Sequence, residues 1–162
     1  MIHLSALDKS EVARVAHLTL RADQMQFSLP PAVALIQDGP FDHYAIEQGD
    51  LVVGYFRIDR AYCDHKDFAL PDEMGLRAFS ISADFQGRGL ATAACRLLGP
   101  TLAARYPRAA SVALTVNRTN PAAYRCYLAG GFADTGRLYR GGRAGAQHIL
   151  RMDLSDHKRG AR

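Results

Sequence analysis

The chain predicts an α/β fold, with a mixed and mostly antiparallel central sheet flanked by helices. Three observations carry this. Residues 76–82 alternate apolar and polar as a half-buried strand does, and Leu90, Ala94, Leu97, Leu98 and Leu102 then recur at helical spacing. Residues 44–48 and 51–58 are strand-like runs on either side of Gly49-Asp50, a hairpin signal. Residues 132–139 and 147–154 form a second strand pair around the glycine-rich segment 141–145.

Taken in order, residues 2–6 read as a first strand. Asp8 or Ser10 caps a helix expected to run to about Leu20, with Val12, Val15, Ala16 and Leu20 on one face. Phe27 leads towards Pro30-Pro31, which opens a short helix through about Gln37. After the first hairpin, residues 62–73 read as a polar loop. The strand at 76–82 and its helix follow, the helix ending near Arg105 before the break Tyr106-Pro107. Residues 111–116 are strand-like. A helix starting at Thr119 or Asn120 stops at Gly130-Gly131, where the chain enters the last strand pair. One domain is expected over residues 1–154, with a polar, frayed tail over 155–162.

Composition narrows the function. At 162 residues and 48% hydrophobic, the chain can bury a substantial core. No apolar run approaches the roughly 20 residues that a membrane span needs. Met1-Ile2-His3-Leu4 does not begin a secretory signal. Cys63, Cys95 and Cys126 are odd in number and form no Cys-x-x-Cys, which fits free thiols in a reducing cytoplasm. Cys63-Asp64-His65-Lys66-Asp67 holds ligand-type residues, but neighbours in one loop rarely close a tetrahedral site, so no metal is expected. The basic cluster Arg137, Arg140 and Arg143 has only Tyr139 as a stacking aromatic, so no nucleic-acid partner is expected.

The segment richest in chemistry is Gln86-Gly87-Arg88-Gly89-Leu90-Ala91, between strand and helix. Glycines there let backbone N–H groups approach an anion, and the helix N-terminus adds partial positive charge. A Walker loop is excluded because no lysine lies between Lys66 and Lys158. A dinucleotide fingerprint is excluded because Thr92 takes the place of its last Gly/Ala and no acid lies between Asp84 and Asp134 to hold a ribose. Gln86, Gly89 and Ala91 match the Gln/Arg-x-x-Gly-x-Gly/Ala loop that grips the pyrophosphate of coenzyme A.

A second run, residues 117–132, carries Asn120, Ala123, Tyr127, Gly131 and Phe132 in an Asn-x-x-Ala…Tyr-x-x-x-Gly-Phe pattern. In order and separation the two motifs resemble those of the GNAT N-acetyltransferase superfamily. The resemblance implies a GNAT-like sheet, acetyl-coenzyme A as co-substrate and transfer of acetyl to an amine. It implies that backbone around Phe79 and Ile81 holds the pantetheine arm and polarises the thioester, and that Gly87, Arg88, Gly89, Leu90, Ala91 and Thr92 bind pyrophosphate. Tyr127 is the candidate general acid for the departing thiolate. Asn120 is a candidate for the pantetheine arm and also for a helix cap. Tyr124 shares a helix face with Asn120 and Tyr127, and either lines the cofactor channel or packs against the sheet. Many members carry a glutamate base on the strand before the loop. This chain has none there, leaving Glu73, or Glu47 on the hairpin, acting through water, or a water chain alone for an amine that arrives partly deprotonated.

Charge is segregated. Residues 1–84 hold 13 acids against 7 Lys/Arg, a net −6, and residues 85–162 hold 3 against 13, a net +10. The basic half suits an anionic cofactor. The acidic excess, with Asp38, Asp42, Asp72 and Glu73, suggests a cationic acceptor such as a polyamine, unless it is only solvated surface. The run 76–81, the Gln-Gly-x-Gly loop and the last hairpin also resemble bacterial spermine/spermidine acetyltransferases. Other small amines (an aminoglycoside, an amino acid, a protein N-terminus) and a non-catalytic acyl-coenzyme A sensor are the alternatives. A homodimer is expected by analogy with the family.

Overall fold

The computed structural model describes residues 1–25, 28–142 and 144–159, so Phe27, Arg143 and the last three residues lie outside it. Seven strands form one sheet: β1 (Ile2–Leu7), β2 (Phe41–Gln48), β3 (Leu51–Asp59), β4 (Glu73–Ile81), β5 (Ser111–Asn117), β6 (Ala133–Tyr139) and β7 (Gln147–Asp153). Their order is β1-β2-β3-β4-β5-β7-β6, and only the β4–β5 pair is parallel. The helices are α1 (Pro31–Ile36), α2 (Tyr62–His65), α3 (Leu90–Arg105), α4 (Pro121–Ala129) and α5 (Ser155–Arg159).

The main core lies between one sheet face and α3. Phe56, Ile58, Val112, Leu114 and Leu150 meet Leu98 and Leu102 there, all essentially buried. Burying a leucine of this kind contributes about 1.5–3 kcal/mol. Gly130, just beyond α4, has no room for a Cβ against the backbone of Cys95, so glycine lets α3 and α4 approach closely. A smaller core on the opposite face gathers Leu7, Val15, Leu18, Ala34, Leu35 and Tyr55.

Three elements differ from expectation. The helix expected over 8–20 is a 3-10 segment, Lys9–Arg14, followed by turns. Asp8 caps it, as one of the two candidates expected, and completes a capping box with Glu11, but later tertiary bonds claim the chain. His17 bonds the Val52 carbonyl, and Thr19 pairs with Ser82 and Ala83 through its amide and carbonyl. Burial falls on Val12, Val15 and Leu18, a spacing of three, while Ala16 is exposed. The loop expected over 62–73 contains α2 and ends in β4, with Glu73 as its first residue. The tail expected to fray forms α5 in its described part. Lys158 donates to the carbonyls of Pro107 and Ala109, and His157 fills the space beside Gly99 of α3.

Candidate active site

The site begins where two strands part. β4 and β5 pair only through Glu73–Ser111, Met74–Val112 and Gly75–Ala113. Their junction is pinned by the buried Glu73 carboxylate. It accepts from Arg151 of β7 on both oxygens, from Ser111 Oγ at 2.6 Å and from the Leu70 amide at 3.1 Å. Gly75 is required there because the Tyr62 ring occupies the place a Cβ would take. Beyond this pin a cleft of about 700 Å³ opens, walled by residues 76–81 on one side and 115–117 on the other.

One wall carries a bulge. Tyr55 faces Ser80 and Arg57 faces Arg77, so Ala78 and Phe79 share the place opposite Phe56. Ala78 adopts φ +56°, a left-handed conformation costing an alanine about 1–2 kcal/mol. Such bulges re-aim side chains beside active sites and release backbone groups from the ladder. Here Phe79 packs between Phe56 and Tyr127, with ring centroids 6.1 and 5.7 Å away.

At the end of β4 the chain turns through Ala83–Phe85 into residues 86–89. The Gln86 side chain ties this loop down, donating to the Ile81 carbonyl and to Gln24 Oε1, each at 2.9 Å. Gly87 and Gly89 both take left-handed φ, +77° and +75°, with open space where a Cβ would point. Among the described residues, no protein acceptor is recorded for the amides of Gly87 through Thr92. These six donors, without a protein acceptor among the described residues, stand just before and at the N-terminus of the sixteen-residue α3, a position that suits an anion. The Arg88 side chain is exposed over the Phe85 ring, outside the cleft lining.

The far wall comes from α4. Asn120 caps the helix, as one of its two readings expected, its side chain accepting from the Ala123 amide, and it also lines the cleft. Tyr127 lines the cleft while 9% exposed, its ring against Phe79 and Phe132. Burial pushes its phenol above the usual tyrosine range, so it stays protonated.

The profile of the acetyltransferase (GNAT) family matches residues 12–132. The chain belongs to this family. It is 32% identical over 157 residues to the uncharacterized N-acetyltransferase YbbJ of Bacillus subtilis (strain 168), covering 92% of this chain and 95% of that protein. In fold it is similar to the aminoglycoside acetyltransferase AAC(6')-Ib crystallised with coenzyme A and kanamycin, at TM-score 0.77, 16% identity and 100% of both chains. The spermidine N-acetyltransferase from Vibrio cholerae, crystallised with coenzyme A and spermine, aligns at TM-score 0.69 and 17% identity over 97% of this chain and 98% of that one.

Within this GNAT fold several expected residues sit elsewhere. Tyr124 turns away from the cleft, donating to Asp134 of β6 at 2.9 Å and setting its ring against His148 of β7, centroids 4.7 Å apart and planes tilted by 43°. It falls on the packing side of its two readings. Glu73 is 1% exposed with both oxygens engaged, which argues against the base role expected of it. Glu47 is likewise buried, accepting from His3, Ser5 and Arg14.

Of the other acids, Asp38 pairs with Lys9 in solvent, and Asp42 binds Arg60 and Tyr106 on another surface. Among the described residues, no Asp, Glu or His lines the cleft. Its titratable members are Tyr62, Lys66, Arg77, Cys126, Tyr127 and Tyr139. Sequence reasoning missed Lys66, Arg77, Tyr139 and the Ala78 bulge. A left-handed alanine leaves no compositional mark, and the other three join the cleft only through long-range folding.

Proposed function

We propose that this GNAT protein is an acetyl-coenzyme A-dependent N-acetyltransferase that moves acetyl to a primary amine of a small molecule by direct attack. The carrying observation is the cradle of six amides at α3, without a protein acceptor among the described residues, which opens into the gap between β4 and β5 with Tyr127 on its far wall. An anionic, extended co-substrate fits this arrangement. Its thioester supplies an acetyl group already activated for transfer.

The chain's residues take the following parts. The amides of residues 87–92 hold the pyrophosphate, and Gly87 and Gly89 allow its close approach. Backbone near the Ala78–Phe79 bulge polarises the carbonyl and orients the arm, with Asn120 bonding that arm from the other wall. Tyr127, kept neutral by burial, gives its proton to the departing thiolate. The proton lost by the amine leaves through water, since the cleft offers no carboxylate or imidazole among the described residues.

A polyamine acceptor draws support from the acidic first half of the chain and from the spermidine N-acetyltransferase of similar fold. Against it stands the placement of the acids, none of which faces the cleft. The test is calorimetric binding of coenzyme A together with thiol release from acetyl-coenzyme A across an amine panel. Amine-dependent release is expected. Tight binding with no release against any amine would replace the enzyme by an acyl-coenzyme A sensor.

A further inference from the structure

Lys66 and Arg77 are the only charged side chains that line the cleft among the described residues. Lys66 follows α2, and its ammonium has neutral company, donating to the Tyr139 hydroxyl at 3.2 Å and lying 4.5 Å from that ring. Arg77 lies on β4 immediately before the bulge. Among the described residues its one partner is Asp59, at 3.3 Å, the long end of a hydrogen bond. Asp59 also binds His65 at 2.7 Å and the Ala61 amide at 3.0 Å, so its charge is shared. Arg77 remains 38% exposed with further N–H donors to offer. Among the described residues, the cleft lining therefore holds two cations and no carboxylate, with Asp59 buried outside it.

From this we infer that the acceptor is an amine carrying its own anionic group, a carboxylate or a phosphate, a few bonds from the nitrogen. Arg77 receives the anion through paired N–H donors and Lys66 adds a point charge, the geometries these side chains favour. The spacing follows from the strand. Arg77 is two residues from Phe79, so at most about 7 Å of strand separates its Cα from the bulge, and an anion on its guanidinium lies near the amine that attacks there. An amino acid with a short spacer between its two groups, or an aminoalkyl phosphate, bridges such a gap. A polyamine would instead bring ammonium groups against Lys66 and Arg77 with no carboxylate to meet them.

This inference rests on the acetyltransferase reading, and one experiment separates their failures. Thiol release from saturating acetyl-coenzyme A is measured with matched amines: amino acids of increasing amine-to-carboxylate spacing against their amides, 2-aminoethyl phosphate against 2-aminoethanol, and spermidine. Rates are compared per neutral amine, and coenzyme A affinity is measured alongside. The anionic member of a pair should exceed its partner in kcat/KM by about tenfold or more, as charged hydrogen bonds warrant. Which pair shows it tells carboxylate from phosphate. Lys66→Met and, separately, Arg77→Met should bring that ratio towards one, mainly through KM, with coenzyme A affinity retained. Lys66→Met carries the test alone should Arg77→Met misfold after releasing Asp59. Uncharged partners or spermidine turned over as well, or a ratio untouched by Lys66→Met, would overturn the inference and leave the enzyme standing. No release with any amine would overturn both.

Discussion

Replacing Glu73 by glutamine separates a structural acid from a catalytic one. The carboxylate accepts from both donors of Arg151, from Ser111 and from the Leu70 amide, and it is essentially dry. Glutamine keeps one acceptor and turns an NH₂ group towards donors, leaving the guanidinium without its counter-charge. Breaking a buried pair costs about 3–5 kcal/mol. The Arg151 side chain is 24% exposed, so water recovers part of its solvation and a value of about 3 kcal/mol is expected. At about 2–4 °C per kcal/mol for a chain of this size, Tm should fall by about 6–12 °C. The assay is thermal unfolding at fixed pH, paired with kcat measured well below the transition. The rate of the folded variant should stay within about threefold of wild type. A kcat lowered by about 100-fold at unchanged Tm would restore Glu73 as the base and refute the reasoning.

Other outcomes follow from the same geometry. Tyr127→Phe keeps the ring contacts and removes the proton, so kcat should drop by about 10²–10⁴ with coenzyme A affinity retained; a variant at full rate would reassign the donor to water. Gly89→Ala meets open space, but taking φ +75° costs it about 1–2 kcal/mol; the free loop escapes this by relaxing and binding must restore the turn, so coenzyme A should bind about 5–30-fold more weakly in calorimetry. An unchanged affinity would mean that this left-handed turn does not aim the amides. For pH, the raised Tyr127 phenol keeps its proton throughout the neutral and mildly alkaline range, and Tyr62 is raised by burial as well. With no acidic base in the cleft, kcat/KM should climb about tenfold per unit towards the amine's own pKa, with no enzymatic fall below about pH 10. With an acceptor that carries no phosphate, an inflection between about pH 5 and 7 would reveal a carboxylate or imidazole of the protein taking part.

Local pattern predicted local structure well. The β4–loop–α3 unit, the α4 cap at Asn120 and both hairpins appear where alternation, glycines and capping residues indicate. Spacing misled over 8–20, because helical and three-residue periods both pass through Val12 and Val15, and the contest was decided by bonds to Val52 and Ser82 far along the chain. The tail read as loose because its own residues are polar, while its partners are carbonyls some fifty residues earlier. At the site, the glycine cradle was legible since it is built from consecutive residues. The charge of the cleft was not. Net acidity in the first half says nothing of whether Asp42 meets Arg60 or a ligand, and the basic lining comes from Lys66 and Arg77 of that same acidic half.

The parting of β4 and β5 has a further consequence for how the protein keeps company. Past Gly75 each strand has one flank with no neighbouring strand. An open flank on the outside of a sheet is an adhesive surface that recruits other chains and seeds aggregation. Here two such flanks face each other inside the molecule, across a slot that closes at three register pairs. An extended guest with amides of its own to offer can bond both rows, as a strand added to a sheet does. The opening therefore favours an extended amide before any side chain reads identity, and it keeps hungry backbone out of reach of the crowd.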